Sequence, residues 1–158
     1  MTGNMYFDYR LRASTNNMAL KSRERTSELL GISESSLSNY ETGKTKIVPP
    51  EMVAQMASMY NAPEMRNIYC KEVCPIGCNK NIATGESTIE AVAVHLINST
   101  EPSKLSKGLG KFLQIAEDGN ITEEEKEDLR AIASIFNPII FALSEFNILA
   151  ERQGVIWN

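Results

Sequence analysis

The feature that most constrains the fold of this chain is the spacing of four small residues in its N-terminal third, Ser22, Gly31, Ser33 and Gly43. A serine at the start of a helix accepts a hydrogen bond from a free backbone N–H, and a glycine after the last turn adopts a positive φ at little cost. The spacing therefore predicts two short helices, residues 23–30 and 34–41, joined by a tight turn. Two such helices in succession are typical of a helix-turn-helix.

The side chains of these two helices divide into an apolar and a polar face. We expect the apolar face to be buried, and it consists of Leu29, Leu30, Ile32, Leu37 and Tyr40. The polar face points outward and consists of Glu34, Ser35, Ser38 and Asn39. Because the start of the second helix of this motif enters the major groove of DNA, we expect base contacts from Glu34, Ser35 and Asn39. Asn39 can pair with adenine, and Glu34 can accept from the amino group of cytosine.

The same stretch resembles the lambda-repressor-like, or XRE, family of bacterial transcriptional regulators. The resemblance covers residues 6–70 and rests on the sequence Leu-Leu-Gly-Ile-Ser before the second helix and Tyr-Glu-Thr-Gly-Lys at its end. A looser similarity to a Firmicutes subgroup of these regulators extends through Tyr60-Asn-Ala-Pro63 and Cys74-Pro-Ile-Gly77. The resemblance implies a five-helix DNA-binding domain. It also implies contacts to the DNA backbone from Ser22, Arg23, Thr42, Lys44 and Lys46.

The chain departs from better-known members of that family at the starts of both helices. Where those members often carry glutamines, this sequence has Arg23, Glu34 and Ser35. The departure leaves the base preference open.

Charge is distributed unevenly along the chain, whose net charge is -4. Residues 1–50 carry seven Lys and Arg against five Asp and Glu, whereas residues 70–158 carry eight against thirteen. The basic residues of the N-terminal part can supply phosphate contacts, which dominate affinity for DNA. They are Arg10, Arg12, Lys21, Arg23, Arg25, Lys44 and Lys46. The acidic C-terminal half is expected to face away from DNA.

Three further helices complete the predicted DNA-binding domain, and glycine, proline and asparagine mark a linker after it. The helices are predicted at residues 6–15, from 49–50 to 60, and from 63 to about 75. We expect a helix-turn-helix domain at 1–74, a linker at 75–86 and a helical region for dimerisation or partner binding at 87–158.

The C-terminal region is predicted to contain three helices, two of them starting at the capping-box patterns of Ser87 and Thr122. Apolar residues of the last helix recur in steps of three and four, as in a heptad repeat. They include Leu129, Ile132, Phe136, Ile139, Leu143 and Phe146. Such positions serve equally well as a dimer interface or as the core of an intramolecular three-helix bundle. Pro138 lies inside this helix and is expected to kink or break it.

No motif of recognised spacing predicts catalysis or a metal site. Cys70, Cys74 and Cys78 recur every four residues, but Pro75 interrupts the helix face before the third cysteine, so we expect buried thiols at the domain junction. His95 is the single histidine and is expected to be an ordinary helix residue. We expect no enzymatic activity, no metal and no cofactor.

The N-terminus lacks the layout of a signal peptide and no run approaches the apolar length of a membrane span, so we expect a cytoplasmic protein without a membrane partner. The sequence as a whole predicts an all-α protein: a five-helix lambda-repressor-like domain followed by a three-helix region. The predicted function is sequence-specific binding of double-stranded DNA in transcriptional control, as a homodimer. The alternative is a helical protein-interaction module, antitoxin-like or an accessory subunit, with weak or no DNA binding.

Overall fold

The computed structural model of the protein describes residues 3–117 and 119–155, and within them the only regular secondary structure is helical. This confirms the all-α prediction. The ends of the predicted domains at residues 1–2 and 156–158 lie outside the described part. The α-helices in the described ranges are α1 Met5–Ala13, α2 Arg23–Leu30, α3 Glu34–Glu41, α4 Pro50–Met59, α5 Glu64–Glu72, α6 Ile89–Ser99, α7 Pro102–Ala116 and α8 Glu123–Arg152.

The boundaries of α2 and α3 coincide with those predicted from the serine and glycine spacing. A short 3-10 turn, Met18–Lys21, separates α1 from α2 and was not predicted. It begins at Asn17, whose side chain accepts a hydrogen bond from the backbone N–H of Ala19.

The chain divides into two compact units, an N-terminal unit ending at Lys80 and a C-terminal unit beginning at Asn81. The division falls inside the stretch predicted as a linker, yet residues on both sides of it make contacts within their own units. Gly77 lies so close to the Cys70 carbonyl oxygen that a Cβ would approach it to 2.4 Å. On the other side, the backbone N–H of Ala83 donates to the Ser144 hydroxyl.

The N-terminal unit has one hydrophobic cluster, to which each of α1 to α5 and the 3-10 turn contributes buried side chains. Its centre is fully buried and consists of Leu20, Leu37, Val53, Met56 and Met65. Leu37 is the contribution of α3, so packing against this cluster sets which face of α3 points outward.

A buried ion pair crosses the N-terminal unit from α1 to the end of α3. The Arg10 guanidinium donates to both carboxylate oxygens of Glu41, and it also donates to the carbonyl of Leu20 at 2.9 Å. Both partners are buried. The expectation that Arg10 contacts DNA phosphate is therefore wrong, because its charge is already neutralised inside the fold.

In the C-terminal unit, α6 and α7 each pack against the long helix α8, but no comparable packing joins α6 to α7 in the described part of the chain. Near the C-terminal end of α8, Ser87 at the start of α6 donates to Glu145. Nearer its N-terminal end, α7 places Gly108 against Ile135. Within the described residues, α6 and α7 therefore pack mainly on α8 rather than on each other.

The capping pattern at Thr122 is confirmed, since its hydroxyl accepts from the backbone of Glu125 while the Glu125 carboxylate accepts from the backbone of Thr122. The pattern at Ser87 was assigned one residue too early. Thr88 caps α6 by accepting from the N–H of Ala91.

Of the kink or break expected at Pro138, the break is wrong, because the 30-residue helix α8 runs through this position without interruption. By length and composition alone, α8 is also apolar enough to cross a membrane, with a mean hydropathy of 1.6 over an 18-residue window of which 22% is buried. The expectation that no segment approaches the apolar length of a membrane span is therefore wrong.

We predict that Glu41→Ala lowers the free energy of unfolding of the N-terminal unit by about 3–5 kcal/mol, because it leaves the Arg10 charge buried without a partner. Native-state hydrogen exchange at the amides of α1 and α3 measures this loss in the full chain. The control is Glu28→Ala, which removes an exposed ion pair to Arg25 and should cost less than about 1 kcal/mol. Equal costs for the two variants would contradict the structural role of the buried pair.

Candidate nucleic-acid interface and heptad positions

The turn between α2 and α3 is closed by backbone hydrogen bonds and one glycine. Gly31 has a φ of 67°, in the left-handed region, which reverses the chain after α2. The N–H of Ile32 then donates to the carbonyl of Ser27 at 3.0 Å. Ser33 starts α3 by accepting from the N–H of Ser36 at 3.0 Å. These contacts fix the direction in which α3 leaves the turn.

Three contacts anchor α3 against the rest of the unit. Leu37 is fully buried in the core, and Glu41 is held by Arg10 at the C-terminal end of the helix. The side-chain amide of Asn4 donates to the Tyr40 carbonyl at 2.9 Å. With its inner face held along its length, α3 cannot rotate without breaking buried interactions.

The predicted base-contacting residues all lie on the outer side of this anchored helix. Glu34 and Ser35 are exposed, and Asn39 is half-buried. The backbone carbonyl of Asn39 accepts from the N–H of Thr45 at 3.2 Å, which ties the loop after α3 back to the helix. Among the residues that the structure describes, no hydrogen bond engages the Asn39 side chain. The NH₂ group of its amide can therefore donate a hydrogen bond, and the amide oxygen can accept one.

Four of the five predicted backbone-contacting residues fall into two classes. Lys44 and Lys46 are exposed and, within residues 3–117 and 119–155, form no ion pair. The hydroxyls of Ser22 and Thr42 are engaged locally: Ser22 accepts from the N–H of Arg25, and Thr42 donates to the carbonyl of Ser38.

Arg23 differs from the other predicted backbone contacts because it is tied to the buried ion pair. Its Nε donates to the Glu41 carboxylate at 2.9 Å, while its side chain remains one-third exposed. Glu41 thus binds one arginine in the core and a second at the surface. The burial of Arg10 could have been predicted from the sequence, since Arg10 lies four residues after Tyr6, on the same buried face of α1.

A family model described as a helix-turn-helix domain matches residues 9–67. Residues 9–67 form a helix-turn-helix domain. The match contains the whole of α2, α3 and α4, and therefore the anchored helix and its outer face. No curated protein and no solved structure matches the chain.

The six heptad residues of α8 do not share one environment. Ile132 is buried within the C-terminal unit, whereas 47% of Leu143 is exposed. The remaining four are half-buried, namely Leu129, Phe136, Ile139 and Phe146. The heptad pattern therefore combines intramolecular packing with apolar surface that this chain alone leaves in water.

The cysteines lie at the end of the N-terminal unit. Cys70 and Cys74 are half-buried, and Cys78 is exposed, with its thiol donating to the Pro75 carbonyl. The expectation of buried thiols is therefore wrong for Cys78. Across the described ranges no group of three or more metal-ligating side chains comes together.

We predict that Ser33→Ala destabilises the helix-turn-helix domain by about 0.5–2 kcal/mol, because the first turn of α3 loses its cap. Ser35→Ala is the matched control, since Ser35 lies in the same first turn of α3 but is exposed and its side chain has no hydrogen bond among the described residues. It should change stability by no more than about 0.5 kcal/mol. Urea unfolding of both variants distinguishes them, and a cap variant as stable as the control would refute the assignment.

Proposed function

We propose that this protein is a sequence-specific DNA-binding transcriptional regulator of the lambda-repressor-like, or XRE, type. The observation that carries the proposal is the outer face of α3, a polar face on a helix whose other side is locked into the core. A helix held in this way can present side chains to base edges without the cost of ordering its backbone on binding.

The chemistry of that face fits readout of the major groove. The unengaged Asn39 amide can donate to and accept from the edge of an adenine, and the Glu34 carboxylate can accept from the amino group of a cytosine. Ser35, between them in the helix, can donate to or accept from either type of base. Contacts of this kind select a sequence, whereas contacts to phosphate do not.

Phosphate contacts are proposed for the loop that follows α3. Lys44 and Lys46 are exposed there without internal partners, so their charges are available to DNA. Arg23, Ser22 and Thr42 are proposed to contact the backbone in addition, with the Arg23 guanidinium oriented by Glu41. This cationic loop supplies affinity for any DNA duplex, and α3 supplies the preference for one base sequence.

We also propose that the C-terminal unit joins two copies of the chain. Apolar side chains remain exposed on all three of its helices and on the loop before α8. Among the described residues these are Ile89, Val94, Ile97, Leu109, Phe112, Leu113, Ile121, Ile140 and Leu143. Since α6 and α7 cover only part of α8, a second copy is the partner that buries a matching surface on both sides. A two-fold dimer would present two copies of α3 to two half-sites.

The proposed function has consequences for location and chemistry. A regulator of this kind acts on the chromosome, which places it in the cytoplasm of a bacterial cell and away from the membrane. It requires no catalytic step and no cofactor.

We predict that Asn39→Ala and Lys46→Ala weaken DNA binding in different ways. On an operator selected from random duplexes by the wild type, Asn39→Ala should cost about 1–3 kcal/mol and relax the sequence preference. Lys46→Ala should weaken all duplexes alike and reduce the slope of log affinity against log salt by about one unit. Fluorescence anisotropy at several salt concentrations measures both quantities.

Lys126→Ala, a change of the same charge on α8, is the control and should leave affinity and slope unchanged. Wild-type affinity in both the Asn39 and the Lys46 variant would contradict the proposed interface. Absence of any salt-dependent binding to duplex DNA would favour the alternative function, a helical protein-interaction module.

We predict that combined Ile140→Glu and Leu143→Glu substitutions convert the protein into monomers that keep both units folded. Both side chains are about half exposed, so the folded chain can accommodate the carboxylates, whereas an apolar dimer interface cannot. Light scattering gives the mass. Arg130→Glu is the matched control because it changes the net charge by the same amount at a side chain that is 72% exposed. A wild type that is monomeric at tens of micromolar would refute the dimer.

A further inference from the structure

A cleft in the C-terminal unit has no role in the functions proposed above. It lies between the C-terminal part of α6 and the middle of α8, and its volume is about 640 Å³. This volume falls within the range of about 300–1,000 Å³ that is usual for small-molecule sites in proteins. Residues from both helices line it, together with Asn81 at the start of the unit.

One polar group in the lining of the cleft is the imidazole of His95, which is oriented by a buried carboxylate. Glu145 is 6% exposed and accepts hydrogen bonds from the Ser87 hydroxyl and from His95 Nδ1, each at 2.6 Å. Burial raises the pKa of Glu145, but these two hydrogen bonds and the charge of His95 lower it below its usual value. An ionised carboxylate only accepts, so Nδ1 of His95 carries a proton, and the ring is held in a fixed orientation beside the cleft.

One acceptor of the cleft comes from the helix backbone. Pro138 has no N–H, so the carbonyl of Ser134 lacks the donor that it would have at this position in a regular helix. Both residues line the cleft. The Ser134 carbonyl and the ring of Pro138 therefore place an acceptor next to an apolar surface.

Two amide side chains complete the polar part of the cleft. Asn98 on α6 and Asn137 on α8 line it, and neither side chain has a hydrogen-bond partner among the described residues. Asn137 is held in position through its backbone carbonyl, which accepts from the side chain of Asn81 at 2.7 Å. Two adaptable amides and a backbone acceptor favour a ligand that carries hydrogen-bond donors.

The rest of the lining is apolar, with Pro138, Phe141 and Ala142 on the α8 side, and it includes no Asp, Glu, Lys or Arg. The lining therefore offers no carboxylate, ammonium or guanidinium to pair with a charged ligand. We propose that this cleft binds a small neutral molecule that combines a planar apolar body with amide or N–H donors. The proposal does not depend on DNA binding.

The single histidine of the chain makes the test direct, because one imidazole resonance reports on the cleft. The full-length protein is titrated with indole-3-acetamide, and the His95 ring signals are followed by proton–carbon NMR at neutral pH. Two analogues of the same shape are compared: indole-3-acetate, which is charged, and 3-methylindole, which lacks the amide. We expect saturable shifts with the amide and about tenfold or weaker binding of both analogues.

Substitutions in the lining of the cleft show whether the compound binds there. Asn98→Ala and Phe141→Ala should each weaken binding of indole-3-acetamide by about tenfold, because they remove a polar partner and an apolar wall of the cleft. Asn147→Ala is the control, an exposed amide on α8 that does not line the cleft, and it should bind as the wild type does. The backbone spectrum shows that each variant is folded.

Three results would overturn the proposal. One is the absence of saturable shifts at His95, and another is an equal response to all three compounds. The third is a His95 signal that changes on dilution of the protein but not with the probe, which would mean that a second copy of the chain occupies the cleft.

Discussion

The N-terminal unit is organised around one buried carboxylate. Glu41 neutralises Arg10 inside the fold, and Arg10 in turn donates to the carbonyls of Leu20 and Lys21 in the last part of the 3-10 turn. A buried pair of this kind tolerates little displacement, because either charge alone would be strongly destabilised in the interior. The end of α3, helix α1 and the approach to α2 are therefore held in one arrangement. The outward orientation of the polar face of α3 follows from it.

Local chemistry accounts for what the sequence predicts well. The boundaries of α2 and α3 follow from serine caps and glycine turns, each of which acts over three or four residues. The same holds for the cap at Thr122, whereas at Ser87 two adjacent hydroxyl residues compete. Which of the two caps α6 depends on Glu145, 58 residues away in the sequence. Its carboxylate accepts a hydrogen bond from the Ser87 hydroxyl, and Thr88 caps the helix. The pairing of Arg10 with Glu41 likewise could not be predicted, because no short-range sequence pattern links two residues that are 31 positions apart.

The heptad pattern of α8 shows a different limit. Periodicity reveals that a face is apolar, but it does not reveal what covers that face. Ile132 is covered by its own unit, while Leu143 is not, although both fit the same repeat. Pro138 removes a helical hydrogen bond and therefore predicts a kink or a break. The helix does not break, since packing on α6 and α7 outweighs that loss, and the carbonyl that loses its regular donor lies beside a cleft.

The link between Arg23 and Glu41 bears on the thermodynamics of the proposed regulator. An exposed lysine in the loop after α3 loses side-chain freedom when it meets a phosphate. Arg23 is already oriented by a carboxylate at 2.9 Å, so part of that entropy has been lost during folding. Glu41 is shared between Arg23 and Arg10, so the three side chains together keep one positive charge, and a contact from Arg23 to phosphate still releases ions condensed on the DNA. The contribution of Arg23 to binding should therefore depend on ionic strength as that of Lys44 and Lys46 does, but at a smaller cost in side-chain entropy.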